Sequence, residues 1–145
     1  MTGTYLALLV IAVVGVFMLS AMMASGSKKR RGTSARGSVD RAMVAERWQA
    51  IQLGAGSGGA GLKNAIMEAD KLLDYAMKGS GFRGETMGER LKSPASSRFS
   101  DLNAIWRAHK LRNHFAHEVG ADLVASQAHE ALRDFERALR DLGVL

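Results

Sequence analysis

Residues Leu62–Met77 read LKNAIMEADKLLDYAM, and their apolar members recur at helical intervals. Leu62, Ile66, Ala69, Leu73 and Met77, widened by Ala65, Leu72 and Ala76, form one continuous stripe. A stripe of that width is what an amphipathic helix buries against neighbouring helices. Glu68, Asp70 and Asp74 are read as lying off it, balanced by Lys63, Lys71 and Lys78 on a solvated face. No stretch alternates apolar and polar residues as a half-buried strand would, so the expected fold class is all-α.

Outward from this helix the chain repeats the pattern. Towards the N-terminus, Asp40 is an expected N-cap for a helix running to Ile51, with Val44, Trp48 and Ile51 on its buried side. Gly54-Ala55-Gly56-Ser57-Gly58-Gly59-Ala60-Gly61 is expected to end it as a soft loop. That loop lacks the Gly-Lys-Ser/Thr ending of a phosphate-cradling loop, and no strand precedes it.

Towards the C-terminus, Gly79-Ser80-Gly81 closes the central helix, and Phe82 to Lys92 leaves room for at most a short helix before Pro94. Ser100 or Asp101 is expected to cap a long helix reaching about Glu118, with Leu102, Ile105, Trp106 and His109 towards the core and Gly120 ending it. A last helix, beginning between Asp122 and Gln127, presents Ala128, Ala131, Leu132, Phe135, Leu139 and Leu142. Residues 40–145 therefore read as a four- to five-helix bundle whose last two helices form an antiparallel hairpin.

The N-terminal part is of another kind. Tyr5 to Ala24, YLALLVIAVVGVFMLSAMMA, carries no formal charge and matches the thickness of a bilayer's hydrocarbon core. Lys28-Lys29-Arg30-Arg31 follows directly, which favours a single-pass anchor with the N-terminus outside and the rest in the cytoplasm. Residues 1–24 are thus an expected transmembrane helix in a bacterial inner membrane, with the lipid bilayer as its partner. Residues 25–39, rich in Gly, Ser and like charges, are an expected flexible tether.

The formal net charge is +6, but Lys28, Lys29, Arg30, Arg31 and Arg36 supply five of those charges. From Asp40 onward 15 basic residues face 14 acidic ones, so the domain is not generically basic. Charge is still uneven within it: Phe82 to His117 holds seven Lys/Arg against three acids, a distribution that permits contact with phosphate. With no cysteine, disulfides, thiolate zinc sites and thiol nucleophiles are all excluded.

The chemically dense stretch is Arg112-Asn113-His114-Phe115-Ala116-His117. An imidazole can exchange a proton with a ribose hydroxyl or a leaving oxygen while a guanidinium holds the phosphate, and this needs neither metal nor cofactor. Metal binding by His114, His117 and Glu118 is a weaker alternative, since three ligands on one turn make a poor tetrahedral set. The third reading is structural: Asn113 and the histidines satisfy carbonyls near a helix end. On a straight helix His109, Asn113 and His117 share a stripe, whereas Arg112 and His117 point about 140° apart.

Leu111-Arg112-Asn113-His114-Phe115-Ala116-His117-Glu118 resembles the R-x4-6-H motif of HEPN domains, including the Asn after the Arg and the small residue before the His. The resemblance covers the hairpin from about Phe99 to Leu142, and towards the N-terminus it extends only to helix count. It implies a HEPN-like helical bundle that acts as a homodimer through the motif helix. It also implies a metal-independent endoribonuclease of the stress or phage-defence type. On that implication Arg112 binds the scissile phosphate, Asn113 orients the site and His117 is the acid/base group, while His109 and His114 receive no role. Gly84 to Lys92 and Asp101 to Asn113 also look like segments of uncharacterised small membrane-anchored bacterial proteins. The reading from a different class is a non-catalytic helical adaptor that binds a protein partner at the cytoplasmic membrane surface.

Overall fold

The structure, a computed structural model, describes residues 39–117 and 122–145. Within them the chain forms α1 (Arg41–Ala55), α2 (Gly58–Gly79), α3 (Met87–Leu91), a 3-10 turn at Pro94–Arg98, α4 (Leu102–His117) and α5 (Ala125–Asp141). The all-α expectation and the helix count hold for these residues. The expected span Tyr5 to Ala24, the linker as far as residue 38, Glu118 and Gly120 lie outside the described residues. Among the described residues no helix is long and apolar enough to cross a membrane.

Helix α2 is the hub: α1, α3, α4 and α5 all pack against it, and α4 also packs against α5. Its stripe is buried as expected, with Ile66, Leu73 and Met77 fully enclosed together with Val44 of α1, Leu91 of α3, Ile105 of α4, and Phe135 and Leu139 of α5. These residues belong to one contiguous apolar core, so no helix here is stabilised by propensity alone. Leu132 sits at its margin, half-buried.

The caps fix where helices begin. Asp40 Oδ1 accepts the Met43 N–H at 3.1 Å, starting α1. Between the two candidates for α4, Asp101 is the cap, accepting the Ala104 N–H at 2.9 Å. Ser100 instead reaches across to α5, where its N–H and hydroxyl both donate to Asp141 Oδ2 at 2.8 Å. That clamp ties the start of α4 to the end of α5 and makes the hairpin antiparallel. The Thr86 hydroxyl caps the short α3 by accepting the Glu89 N–H at 3.2 Å, while Glu89 Oε2 takes the Glu85 N–H at 2.7 Å.

Two sequence expectations need correction. The glycine-rich run is mostly helix: α1 continues through Ala55, α2 begins at Gly58, and only Gly56 and Ser57 remain as the turn. Close helix approach requires the glycine at 61, since a Cβ there would collide with the Gly54 carbonyl oxygen and with Ser57. Gly58, at φ +83°, supplies the left-handed residue that the tight turn requires.

The acidic face of α2 is the second correction. Glu68 and Asp74 are both half-buried, at side-chain exposures of 36% and 34%, and Glu68 bonds to Lys71 Nζ at 2.8 Å. Asp74 accepts from Arg90 Nη1 at 2.7 Å, and Arg90 is itself buried, so this pair anchors α3 on α2. Asp70 is only 4 % exposed.

Helix α5 also buries an acid. Burial pushes the Asp134 carboxyl above the ordinary carboxylate range, against the opposing pull of Arg137, whose Nη1 lies 3.4 Å away, and of Arg107. A raised carboxyl binds its proton more tightly in the folded chain than in the unfolded one. Its stabilising contribution is therefore present at acidic pH and is lost as pH rises past the ordinary value, 3.8, to the raised one. Asp134→Asn, which removes the buried charge, should raise the thermal midpoint at pH 7 and leave it nearly unchanged near pH 3.5; unfolding curves at the two pH values check this.

Candidate functional site at the α2–α4 cleft

Between α2, α3 and α4 lies an open cleft of about 410 Å³, lined by Asp70, Asp74, Met87, Gly88, His109, Arg112 and Asn113 among others. Arg112 and Asn113, two of the three residues singled out by the R-x4-H pattern, face it half-buried. His117, the third, is exposed at the last position of α4 and is not part of the lining. Among the described residues no hydrogen bond or ion pair joins it to Arg112 or Asn113. His114 is exposed and lies against Phe115, ring centroids 5.9 Å apart.

His109 takes the place beside them that His117 does not. Its Nδ1 lies 2.7 Å from Asp70 Oδ1 and its Nε2 lies 3.2 Å from Asn113 Nδ2. The latter contact follows from the i, i+4 spacing on α4. Asn113 Oδ1 accepts from Arg112 Nη1 at 2.9 Å. Arg112 Nε lies 3.3 Å from Asp70 Oδ2, close enough for an ion pair, although its N–H is not aimed well enough to count as a hydrogen bond. The Trp106 ring stands edge-on to His109 at 6.0 Å, 70° between planes, and restricts the imidazole from that side. Gly88 lies beside both rings, where an added Cβ would touch Trp106 and come within 4.0 Å of His109 Nε2.

A buried carboxylate is tolerated only when paired and hydrogen-bonded, and Asp70 satisfies both conditions through His109 and Arg112. Asp70 is the site residue that sequence reasoning missed, and its signal was angular. It lies i+4 from Ile66 and i−3 from Leu73, about 40° and 60° round the helix from them, which puts it at the edge of the apolar stripe rather than near its centre.

The chain matches no protein-family model, no curated protein and no solved structure. What the site can do therefore rests on its own chemistry. It offers a guanidinium held by a buried carboxylate, an amide beside it and an imidazole within reach, all at an open cleft whose lining balances Asp70 and Asp74 against Lys71 and Arg112.

Proposed function

We propose that the domain from Asp40 onward is a HEPN-like ribonuclease module, held at the cytoplasmic face of a bacterial inner membrane by Tyr5 to Ala24 and acting as a homodimer on RNA. The observation that carries this reading is the presentation of Arg112 at an open cleft, with Asn113 bonded to it and Asp70 behind it. In the working dimer two α4 helices meet, so that Arg112 of one copy and His117 of the partner subunit reach the same phosphodiester. The opposed directions of Arg112 and His117 along one helix then cease to matter.

One imidazole accepts the proton of the ribose 2′-hydroxyl, and the 2′-oxygen attacks the phosphorus. The bond from phosphorus to the 5′-oxygen breaks, and that oxygen leaves as a hydroxyl by taking a proton from a second, protonated imidazole or from water. Arg112 holds the phosphate oxygens as charge builds on them. The products are a 2′,3′-cyclic phosphate and a 5′-hydroxyl, and no metal enters the step.

The full-length chain in detergent should cut single-stranded RNA in the presence of a chelator. Arg112→Ala and His117→Ala should each lower the rate by about 10³-fold or more; His117→Ala, at an exposed position, should keep the parent's thermal midpoint, whereas Arg112→Ala takes a partner from the buried Asp70 and should lower it. One observation favours the adaptor reading instead: the polar groups of Arg112 and Asn113 are engaged with each other and with α2, as in a structural network. An inactive parent whose Arg112→Ala and His117→Ala variants are equally destabilised would support that reading and end the catalytic one.

A further inference from the structure

Asp70 and His109 lie outside the R-x4-H pattern, yet they close a ring with the two motif residues at the cleft. Asp70 Oδ1 meets His109 Nδ1, His109 Nε2 meets Asn113 Nδ2, Asn113 Oδ1 meets Arg112 Nη1, and Arg112 Nε faces Asp70 Oδ2. The direction of each bond fixes the next. A carboxylate only accepts, so at 2.7 Å the proton is on Nδ1 of His109. In the neutral ring Nε2 then carries a lone pair, and it can only accept, from the Asn113 amide nitrogen. With its nitrogen committed to His109, Asn113 must turn its oxygen to Arg112. An imidazolium, or the other neutral tautomer, would present an N–H to Asn113, forcing the amide to turn over and set its NH₂ against the guanidinium.

We infer that Asp70 and His109 are positioning residues: through the Nδ1–H tautomer of His109 they fix the Asn113 amide and hold the Arg112 guanidinium in the orientation that receives a phosphate. That the phosphate belongs to RNA rests on the ribonuclease reading; the holding of Arg112 does not. Asp70 is therefore more than a counter-ion. It reads out on Arg112 twice, once directly and once around the ring.

The test uses the full-length chain in detergent, labelled with ¹⁵N at histidine and arginine, and the variant Asp70→Asn. An amide at position 70 has one donor side and one acceptor side. Turning its oxygen to the guanidinium sets its NH₂ against His109, which must then move its proton to Nε2. Wild-type His109 should show the Nδ1–H tautomer and Asp70→Asn the Nε2–H tautomer, with exchange of the Arg112 Nε–H faster by about tenfold or more. RNA cleavage should fall by about 10²-fold, as for a displaced phosphate ligand. His117→Ala should leave both spectroscopic readouts as in the wild type.

The inference is overturned if wild-type His109 carries its proton on Nε2, or if Asp70→Asn swaps the tautomer while Arg112 exchange stays at the wild-type rate. Should Asp70→Asn fail to fold, His109→Phe keeps the ring volume and removes both nitrogens; unchanged Arg112 exchange in that variant overturns the inference equally. If the wild type cuts no RNA, the catalytic reading is lost, and Arg112 exchange alone decides the positioning.

Discussion

Phe135→Ala should destabilise the bundle by about 3 to 5 kcal/mol, the range for emptying a fully enclosed aromatic site. Phe135 is completely buried on α5, the helix that packs on both α2 and α4, and belongs to the core cluster that those helices share. Rigid helices with capped ends do not close readily around such a void. Asp101 and Asp40 hold the starts of α4 and α1, and the Ser100–Asp141 clamp resists sliding of α4 along α5. Stabilities of about 5 to 15 kcal/mol are usual for single domains, so this one substitution removes a large share. Urea denaturation of the wild type and variant checks it. A loss under about 1.5 kcal/mol would mean that the core collapses around the gap.

The residues that form this core could be read from periodicity because burial and helical angle are the same information at Ile66, Leu73, Phe135 and Leu139. Where the two separate, the reading failed. Gly58 to Gly61 has poor helix propensity, and local propensity gave a loop; the close approach of Gly61 to the Gly54 carbonyl, which leaves no room for a Cβ, is invisible in either segment alone. Arg90 is similar, since nothing near it in the chain announces that Asp74 will reach it.

The candidate site divides along the same line. Arg112 beside Asn113, and Asn113 one turn after His109, are neighbours within one helix and were legible. Asp70 comes from another helix, and a carboxylate at the margin of an apolar stripe looks solvated until its partner is known. His117 keeps the place that the R-x4-H spacing gives it, at the exposed end of α4, and no single-chain geometry joins it to Arg112.

Asp70→Ala should be the most damaging polar substitution in the domain, costing about 3 kcal/mol or more, because removing one member of a buried charged set strands the others. Arg112 Nε is already without an aligned acceptor and is enclosed, and loss of the carboxylate leaves it with no counter-charge at that point. His109, 13 % exposed at its side chain, loses the acceptor of its Nδ1–H. The penalty should therefore depend on what remains. In Asp70→Leu/His109→Leu/Arg112→Met the stranded groups are gone and apolar volume replaces them, so stability should return most of the way towards the parent. Asp70→Ala measured in the His109→Leu/Arg112→Met background should likewise cost much less than in the wild type. If its cost is the same in both backgrounds, the ring does not couple these residues, and Asp70 matters only for the space it fills.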